Sequence, residues 1–188
     1  NGNKIITTSG GGAMVCNSIE DKNKTIFYAT QARDQAPHYE HTSIGYNYRM
    51  SNISAGIGRG QMEVLDKHIN LRRAVNTFYK TLFKDVKGVT VMEEPNSDYH
   101  SNFWLSCITI DDKASFSAEE FRLAMDKENI ETRPLWKPMH LQPIFIDAPF
   151  YGDGFAETLF KTGLCLPSGS NLTKNDFDRI TQAVKRII

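Results

Sequence analysis

The 188-residue sequence has few cysteines and no ligand spacing that is typical of a metal site. Its three cysteines, Cys16, Cys107 and Cys165, lie far apart and form no C-x-x-C pair. This excludes a disulfide framework and a cysteine zinc site, and it is typical of buried thiols in a reducing compartment. His38 and His41 lie close together in a polar loop, but no third ligand is at metal-site spacing, so we expect polar loop residues there. The sequence therefore predicts a cytoplasmic protein without a bound metal.

An excess of one charge and long apolar runs are also absent. Lysine plus arginine number 22, as do aspartate plus glutamate, so the formal net charge is zero. No basic excess favours nucleic acid, and no apolar run reaches the roughly 20 residues that a membrane-spanning helix needs. The first residues do not follow the pattern of a signal peptide. We expect no nucleic-acid partner and no membrane segment.

Helix-start signals recur along the chain. Serine or threonine at the start of a helical pattern is typical of an N-cap, and a capping box adds an acidic residue three positions later. These signals and the spacing of apolar residues predict helices over about 18–33, from 51 or 52, from about 67, from 117 to near 129, over 153–161 and from 173 onward. In the helix from about 67, we expect a core stripe of Leu71, Val75, Phe78 and Leu82.

Short β-prone runs lie between the later helices. They predict strands over 89–92, 103–110, 130–133 and 164–166. From residue 89 onward, the predicted order is strand, strand, helix, strand, loop, helix, strand, helix. The economical packing for this order is a small, largely antiparallel sheet covered by helices on one side, which gives the chain an α/β fold class.

A glycine-rich stretch near the start of the chain carries a lysine. Lys4 precedes two β-prone runs, 5–8 and 13–16, which are joined by Ser9 and three glycines. This predicts a hairpin with the lysine at its mouth. A lysine can capture a carbonyl group when burial or a neighbouring cation lowers its pKa, and the alternative is an ordinary surface lysine beside a turn. No Gly-Lys-Ser/Thr follows the glycines, which excludes a P-loop.

A proline-rich segment lies in the second half of the chain. Residues 134–149 contain four prolines, with Trp136, Lys137, His140 and Gln142 between them. Proline keeps such a segment out of regular structure, and a long, stiff loop with aromatic and polar side chains is typical of a binding loop. The alternative is a surface segment whose Trp136 and Phe145 fill the core.

Four blocks of sequence occur in a characteristic order. They are N-G-N-K-I-I-T-T-S-G-G-G at 1–12, G-Y-N-Y-R-M-S-N at 45–52, R-P-L-W-K-P-M-H-L-Q-P at 133–143 and C-L-P-S-G-S-N-L-T at 165–173. Together they resemble the DegT/DnrJ/EryC1/StrS aminotransferases, which are pyridoxal-phosphate (PLP) enzymes that aminate keto-sugars. The resemblance covers essentially the whole chain.

The resemblance implies a domain organisation. Residues 1–50 would be the end of the large, PLP-binding domain of the type I PLP-transferase fold. Residues 51–188 would supply linking helices and a small C-terminal α+β domain with a largely antiparallel sheet. Because the chain opens within a motif, we expect a fragment from which about half of a full enzyme is missing upstream.

The resemblance also implies roles for individual residues. Lys4 would be the catalytic lysine that binds PLP covalently. Asn47 would reach the PLP phosphate of the neighbouring subunit in a homodimer. Arg49 would lie near the nucleotide-sugar site, as would three residues of the proline-rich loop, Trp136, Lys137 and His140. The carboxylate for the pyridine nitrogen, the residue stacked on the ring and the hydroxyl near the phosphate precede the lysine in relatives, and this chain does not contain them.

The function that the resemblance implies is amino transfer to a sugar. The amino donor would be glutamate, and the acceptor would be a 4-keto-6-deoxy nucleotide sugar used in surface polysaccharide or glycan biosynthesis. One alternative is a related PLP enzyme of the same family that acts in antibiotic or carbocycle biosynthesis. Another alternative, from a different class, is a non-catalytic interaction domain whose lysine and glycines are structural.

Overall fold

The computed structural model describes residues 3–188, so Asn1 and Gly2 of the first block lie outside the described residues. The chain divides into two compact units, Asn1–Leu65 and Asp66–Ile188. The boundary predicted between residues 50 and 51 concerns the domains of a whole enzyme, and this division does not test it. It stays a prediction.

Six α-helices make up most of the regular structure in residues 3–188. Their bounds are α1 Ile19–Ala29, α2 Asn52–Glu63, α3 Leu65–Phe83, α4 Ala118–Lys127, α5 Phe155–Thr162 and α6 Lys174–Lys185. Two short 3₁₀ helices, Met139–Leu141 and Pro143–Phe145, interrupt the proline-rich loop. Within this described part of the chain, no helix has both the length and the apolar composition of a membrane span.

Four predicted helix starts are confirmed by their cap hydrogen bonds. In each, a backbone N–H three residues into the helix donates to the hydroxyl of the capping residue. The capping residues are Ser18, Ser51, Ser117 and Thr173, with N···O distances of 3.0, 3.2, 3.2 and 3.4 Å. The capping boxes predicted at Ser117 and Thr173 are both complete.

Two predictions in the first unit are wrong. The stretch 5–16 forms no hairpin, because local hydrogen bonds turn the backbone instead: the hydroxyl of Thr8 donates to the carbonyl of Gly10 at 2.6 Å, and Ser9 has φ 66°. Helix α1 ends at Ala29 and not near Arg33. Gln31 and Ala32 have φ 69° and 47°, and this left-handed conformation ends a helix.

The second unit contains a four-stranded antiparallel sheet. Its strands are β1 Val89–Val91, β2 Ser106–Ile110, β3 Arg133–Pro134 and β4 Gly163–Leu166, in the order β1-β2-β4-β3. Strands β1 and β2 lie within their predicted runs, and β4 begins one residue before its predicted run. The strand predicted over 130–133 is displaced to Arg133–Pro134. Proline is tolerated there because β3 is an edge strand, where a missing N–H breaks no ladder.

One hydrophobic core joins this sheet to α3, α4 and α6. Buried residues alternate along β2, where Ser106, Ile108 and Ile110 point to the same side. The predicted stripe on α3 is only partly right, because Leu71 is 39% exposed whereas Tyr79 and Phe83 are buried beside Val75. The largest fully buried apolar side chains of the core are Tyr79, Phe121, Ile108, Met125, Leu164 and Val184.

The three cysteines are free thiols, but only Cys165 is buried. Cys16 and Cys107 are partly exposed, so the prediction of buried thiols is wrong for these two. Cys107 on β2 and Cys165 on β4 are register partners, and their Sγ atoms lie 3.7 Å apart. The hydrogen bond with Cys165, followed by burial, raises the pKa of the Cys107 thiol. Because side chains alternate along a strand, this pair lies on the sheet face opposite Ile108 and Leu164.

Candidate active site

The backbone that follows Lys4 is held by two glycines. Gly11 has φ 108°, and a Cβ there would lie 2.6 Å from Cε of Met50. A Cβ on Gly58 of α2 would lie 2.7 Å from Cγ2 of Thr8. Glycine therefore permits the segment that follows Lys4 to approach both α2 and the run that ends at Met50. The side chain of Lys4 itself is exposed.

Asn47 lies in an extended run that pairs with the end of α1. The N–H of Tyr46 donates to the carbonyl of Tyr28 at 2.8 Å, and the N–H of Tyr48 donates to that of Ala29 at 3.0 Å. The Tyr46 and Tyr48 rings stack with centroids 5.1 Å apart, so they share one side of the run. Because side chains alternate along an extended backbone, Asn47 lies on the other side.

Close packing beneath this run depends on Gly45. A Cβ on Gly45 would lie 2.4 Å from the backbone nitrogen of Ala32, a fully buried residue. Arg49 follows the run and is exposed, and no carboxylate among residues 3–188 forms an ion pair with it. The described residues thus leave the Asn47 and Arg49 side chains accessible on the surface of the first unit.

The proline-rich loop does not fill the core. Trp136 is 64% exposed and Phe145 is 39% exposed, so the alternative that they plug the core is wrong. The Trp136 ring packs on that of Trp104, with centroids 5.9 Å apart and planes inclined at 36°. Lys137, the next residue, is exposed. The two tryptophans form an aromatic surface with a basic side chain beside it.

The start of the loop is fixed to the sheet at Gly163. The N–H of Leu135 donates to the carbonyl of Gly163 at 3.1 Å. A Cβ on Gly163 would lie 2.2 Å from Cδ1 of Leu135 and 2.5 Å from the carbonyl oxygen of Leu159, so the crossing of loop and helix α5 requires a glycine there.

Two arginines of α3 contact the segment that precedes β2. Arg72 donates to the carbonyl of Trp104 and, at 3.0 Å, to that of Ser168. Arg73 donates to the Glu94 carboxylate at 2.8 Å. This hydrogen bond, together with one from the N–H of Ser101 at 2.6 Å, lowers the pKa of Glu94 to about 2. The segment before β2 is therefore tied to α3 by charged hydrogen bonds.

His140 is held by a carboxylate and by an aromatic ring. Its Nε2 lies 2.8 Å from Oε1 of Glu157, and its ring stacks on Phe150 with centroids 3.6 Å apart and planes inclined at 21°. Neither Glu157 nor Phe150 is a partner that the sequence predicts for His140. Glu157 lies in the first turn of α5, where any carboxylate is favoured by the helix dipole, so sequence alone gives no sign of its contact with His140.

The structure thus brings the predicted residues into two groups. Lys4, Asn47 and Arg49 lie in the first unit, where the contact of Gly11 with Met50 joins their two segments. The second unit contains Trp136, Lys137 and His140, all on the proline-rich loop. Across residues 3–188, no three His, Cys, Asp or Glu side chains are grouped to hold a metal ion.

The chain is similar to known proteins in sequence and in structure. The sequence profile of the DegT/DnrJ/EryC1/StrS aminotransferase family matches residues 1–185. EpsN of Bacillus subtilis (strain 168), named provisionally as a pyridoxal phosphate-dependent aminotransferase, is 48% identical over 98% of this chain and 48% of its own length. GDP-perosamine synthase of Caulobacter vibrioides is 31% identical over 100% of this chain and 50% of its own length.

Solved structures show the same fold. Helicobacter pylori PseC, an aminotransferase involved in the biosynthesis of pseudoaminic acid, matches 97% of this chain and 50% of its own with a TM-score of 0.82 at 22% identity. The chain spans about half the length of the relatives it matches. The predicted fold class is confirmed, and so is PLP as the cofactor of the family. The chain therefore belongs to the DegT/DnrJ/EryC1/StrS family of PLP-dependent aminotransferases.

Proposed function

We propose that the protein containing this chain is a nucleotide-sugar aminotransferase. It transfers an amino group from glutamate to a 4-keto-6-deoxy nucleotide sugar, in surface polysaccharide or glycan biosynthesis. The names of two relatives support the substrate class, since one is a GDP-perosamine synthase and another a dTDP-4-amino-4,6-dideoxy-D-glucose transaminase. The observation that carries the proposal is the backbone around Lys4, where glycines hold the lysine segment against the 47–50 run.

The residues of the first unit fit PLP. Lys4 is an exposed residue, and Nζ is the atom that would bind the cofactor covalently. PLP, when bound, supplies the electron sink that makes the C–H bond beside the substrate nitrogen acidic. When not bonded to the cofactor, Nζ of Lys4 would take that proton and later return one, so a single residue would serve as base and acid.

Asn47 and Arg49 bind the charged parts of the ligands. The Asn47 amide has two N–H donors, which suit a phosphate oxygen. We assign it to the PLP phosphate of a second copy in a homodimer, because the run that carries it is exposed on the described first unit. The guanidinium of Arg49 suits an anionic group of the nucleotide sugar.

The proline-rich loop binds the nucleotide sugar. The exposed face of Trp136 offers a stacking surface for a flat or apolar ring. Lys137 beside it supplies a positive charge for the diphosphate. His140 supplies a ring nitrogen for hydrogen bonding to the sugar.

The free thiols support a cytoplasmic location, because a reducing compartment keeps such cysteines unpaired.

Reduction with borohydride tests the role of Lys4. The complete gene product is loaded with PLP and reduced, and its peptides are mapped by mass spectrometry. We expect a pyridoxyl group on the Lys4 peptide, no such group in Lys4→Ala, and an unchanged yield in Lys22→Ala, which removes an exposed lysine of α1. A folded protein without the adduct would refute the PLP role and favour a non-catalytic interaction domain.

A further inference from the structure

The loop from Leu135 to Gly154 is fixed at three places within the second unit. At its start, Leu135 is hydrogen-bonded to Gly163. Near its start, Trp136 packs on Trp104. In its middle, His140 contacts Glu157 and Phe150. The first two contacts hold the path of the backbone, whereas only the third holds a polar side chain of the proposed substrate site.

The contact between His140 and Glu157 differs from the other histidine–carboxylate pair of the described chain. His38 and Glu40 lie 3.0 Å apart, but the His38 side chain is 67% exposed. The His140 side chain is only 15% exposed, and it is covered on one face by Phe150. In an exposed pair, each side chain can form hydrogen bonds with water in place of its partner. A largely buried ring between a carboxylate and an aromatic face keeps one orientation.

This orientation fixes which nitrogen of His140 bears hydrogen. A carboxylate accepts hydrogen bonds, so Nε2 carries a hydrogen and donates it to Oε1 of Glu157. No hydrogen bond within residues 3–188 reaches Nδ1, which leaves it as the ring nitrogen for a ligand. In the neutral ring Nδ1 is an acceptor, which suits a hydroxyl group of a sugar.

The position of the Phe150 ring depends in turn on Gly152. A Cβ on Gly152 would lie 2.5 Å from Cζ of Phe150, so a larger residue there would displace the ring from its place beside His140. Glu157 reaches His140 from the first turn of α5, and α5 packs on β2 and β4. The His140 ring is therefore positioned by a helix that is itself packed on the sheet.

We propose that Glu157 is a positioning residue of the nucleotide-sugar site: it holds His140 with Nε2 protonated and leaves Nδ1 to accept a hydrogen bond from a sugar hydroxyl. Phe150 restricts the ring to this orientation. The inference rests on the proposed function, because it names the group of the acceptor that His140 recognises. Glu157 does not touch the reacting atoms, so its loss is expected to affect binding of the sugar nucleotide and not the chemical step.

Steady-state kinetics of the complete gene product test the positioning role. For Glu157→Ala we expect the KM for the keto-sugar nucleotide to rise about tenfold, with kcat within about twofold and the KM for glutamate unchanged. Glu157→Gln keeps an acceptor oxygen and should rescue most of the loss. Glu40→Gln, which alters the exposed histidine pair, is the matched control and should change neither constant.

A double-mutant cycle shows whether Glu157 acts through His140. If it does, Glu157→Ala raises KM in the wild-type background but has no further effect in His140→Ala. Additive effects of the two changes would overturn the proposal, as would an unchanged KM in Glu157→Ala.

An NMR readout separates this inference from the proposed function. In protein labelled with ¹⁵N-histidine, long-range ¹H–¹⁵N spectra report which ring nitrogen bears hydrogen. We expect His140 as the Nε2–H form in the wild type and in Glu157→Gln, and a mixture of forms in Glu157→Ala. An unchanged His140 spectrum in Glu157→Ala would overturn the positioning role. Lack of activity of the wild type on every keto-sugar, with the spectra as expected, would refute only the proposed function.

Discussion

The two units of the chain differ in how much apolar surface they bury. Fourteen buried apolar residues form one core in the second unit. In the described part of the first unit, Ala32 is the one buried apolar residue, and neither α1 nor α2 has a buried side chain. Its exposed large apolar residues include Met14, Val15, Ile19, Tyr39, Ile44, Tyr46, Tyr48, Ile53 and Met62.

This difference separates the source of stability from the proposed site of chemistry. The second unit has the buried area that stabilises a domain. The first unit carries Lys4, Asn47 and Arg49 on a scaffold of backbone hydrogen bonds and close glycine contacts, with much apolar surface exposed. Exposed apolar surface of this extent is typical of an interaction surface.

The largest effect is expected from loss of a core side chain. Phe121→Ala removes a fully buried ring and should lower the free energy of unfolding of the second unit by about 3–5 kcal/mol. Ile57→Ala, on exposed α2, should change it by less than about 0.5 kcal/mol. Trp104 and Trp136, the two tryptophans of the chain, both lie in the second unit, so denaturant titration followed by tryptophan fluorescence reports its unfolding. Equal effects of the two changes would contradict the contrast.

A Cβ at Gly45 should loosen the run that carries Asn47. Because the new atom would lie 2.4 Å from the Ala32 nitrogen, Gly45→Ala must displace backbone, at about 1–3 kcal/mol. Hydrogen exchange at the N–H groups of Tyr46 and Tyr48 should then be about tenfold faster. Gly60→Ala meets no atom within 4 Å and serves as the control, for which exchange should not quicken. Unchanged exchange in Gly45→Ala would show that the close approach does not hold the run.

The caps of α6 and α1 should contribute unequally to the free energy of unfolding that tryptophan fluorescence reports. Thr173→Ala breaks the capping box of α6, which is packed in the core, and should lower the free energy of unfolding by about 1 kcal/mol. Ser18→Ala removes an equivalent cap from α1 in the first unit and should leave that transition unchanged. A shift of similar size in both variants would mean that the two units unfold together.

The smallest effect is expected from acid. The folded pKa of Glu94, about 2, lies below its value in the unfolded chain, so its stabilising effect is complete above pH ~4.5 and is lost as the pH falls towards 2. Over this pH range, the denaturant concentration at the midpoint of unfolding should fall less steeply in Glu94→Gln than in the wild type. Glu93→Gln, in the neighbouring pair with Lys80, is the control. Identical pH profiles for wild type and Glu94→Gln would refute this role.

The sequence predicted best what is decided within a few residues. Ser117 and Thr173 mark helix starts because a cap and its partner are three positions apart. The prediction of a hairpin over 5–16 is wrong because β-prone residues form a strand only beside a partner strand. The hydroxyl groups of this stretch form hydrogen bonds with the local backbone instead. The strand predicted over 130–133 excludes Pro134, yet Pro134 lies within β3, because the sequence does not show which strand will be at the edge of the sheet.

For the candidate site, the sequence likewise predicted residues but not the tertiary contacts that position them. Family motifs pointed to Lys4 and to the loop residues, but not to the partners that hold them. Glu157 lies 17 positions after His140, and the contact exists only because α5 packs on the sheet beside the loop. The close approach of Gly58 to Thr8 is similarly a product of tertiary packing, although the glycine itself is visible in the sequence.

Nucleotide-sugar amination by this protein can be measured in the amino-transfer half-reaction alone. The complete gene product, with its cofactor in the amino form, is mixed separately with GDP-, dTDP- and UDP-linked 4-keto-6-deoxy sugars. We expect one of them to restore the PLP absorbance and to yield an amino-sugar nucleotide by mass spectrometry, with no turnover in Lys4→Ala. Recovery of PLP with 2-oxoglutarate but with none of the keto-sugars would contradict a role in nucleotide-sugar amination.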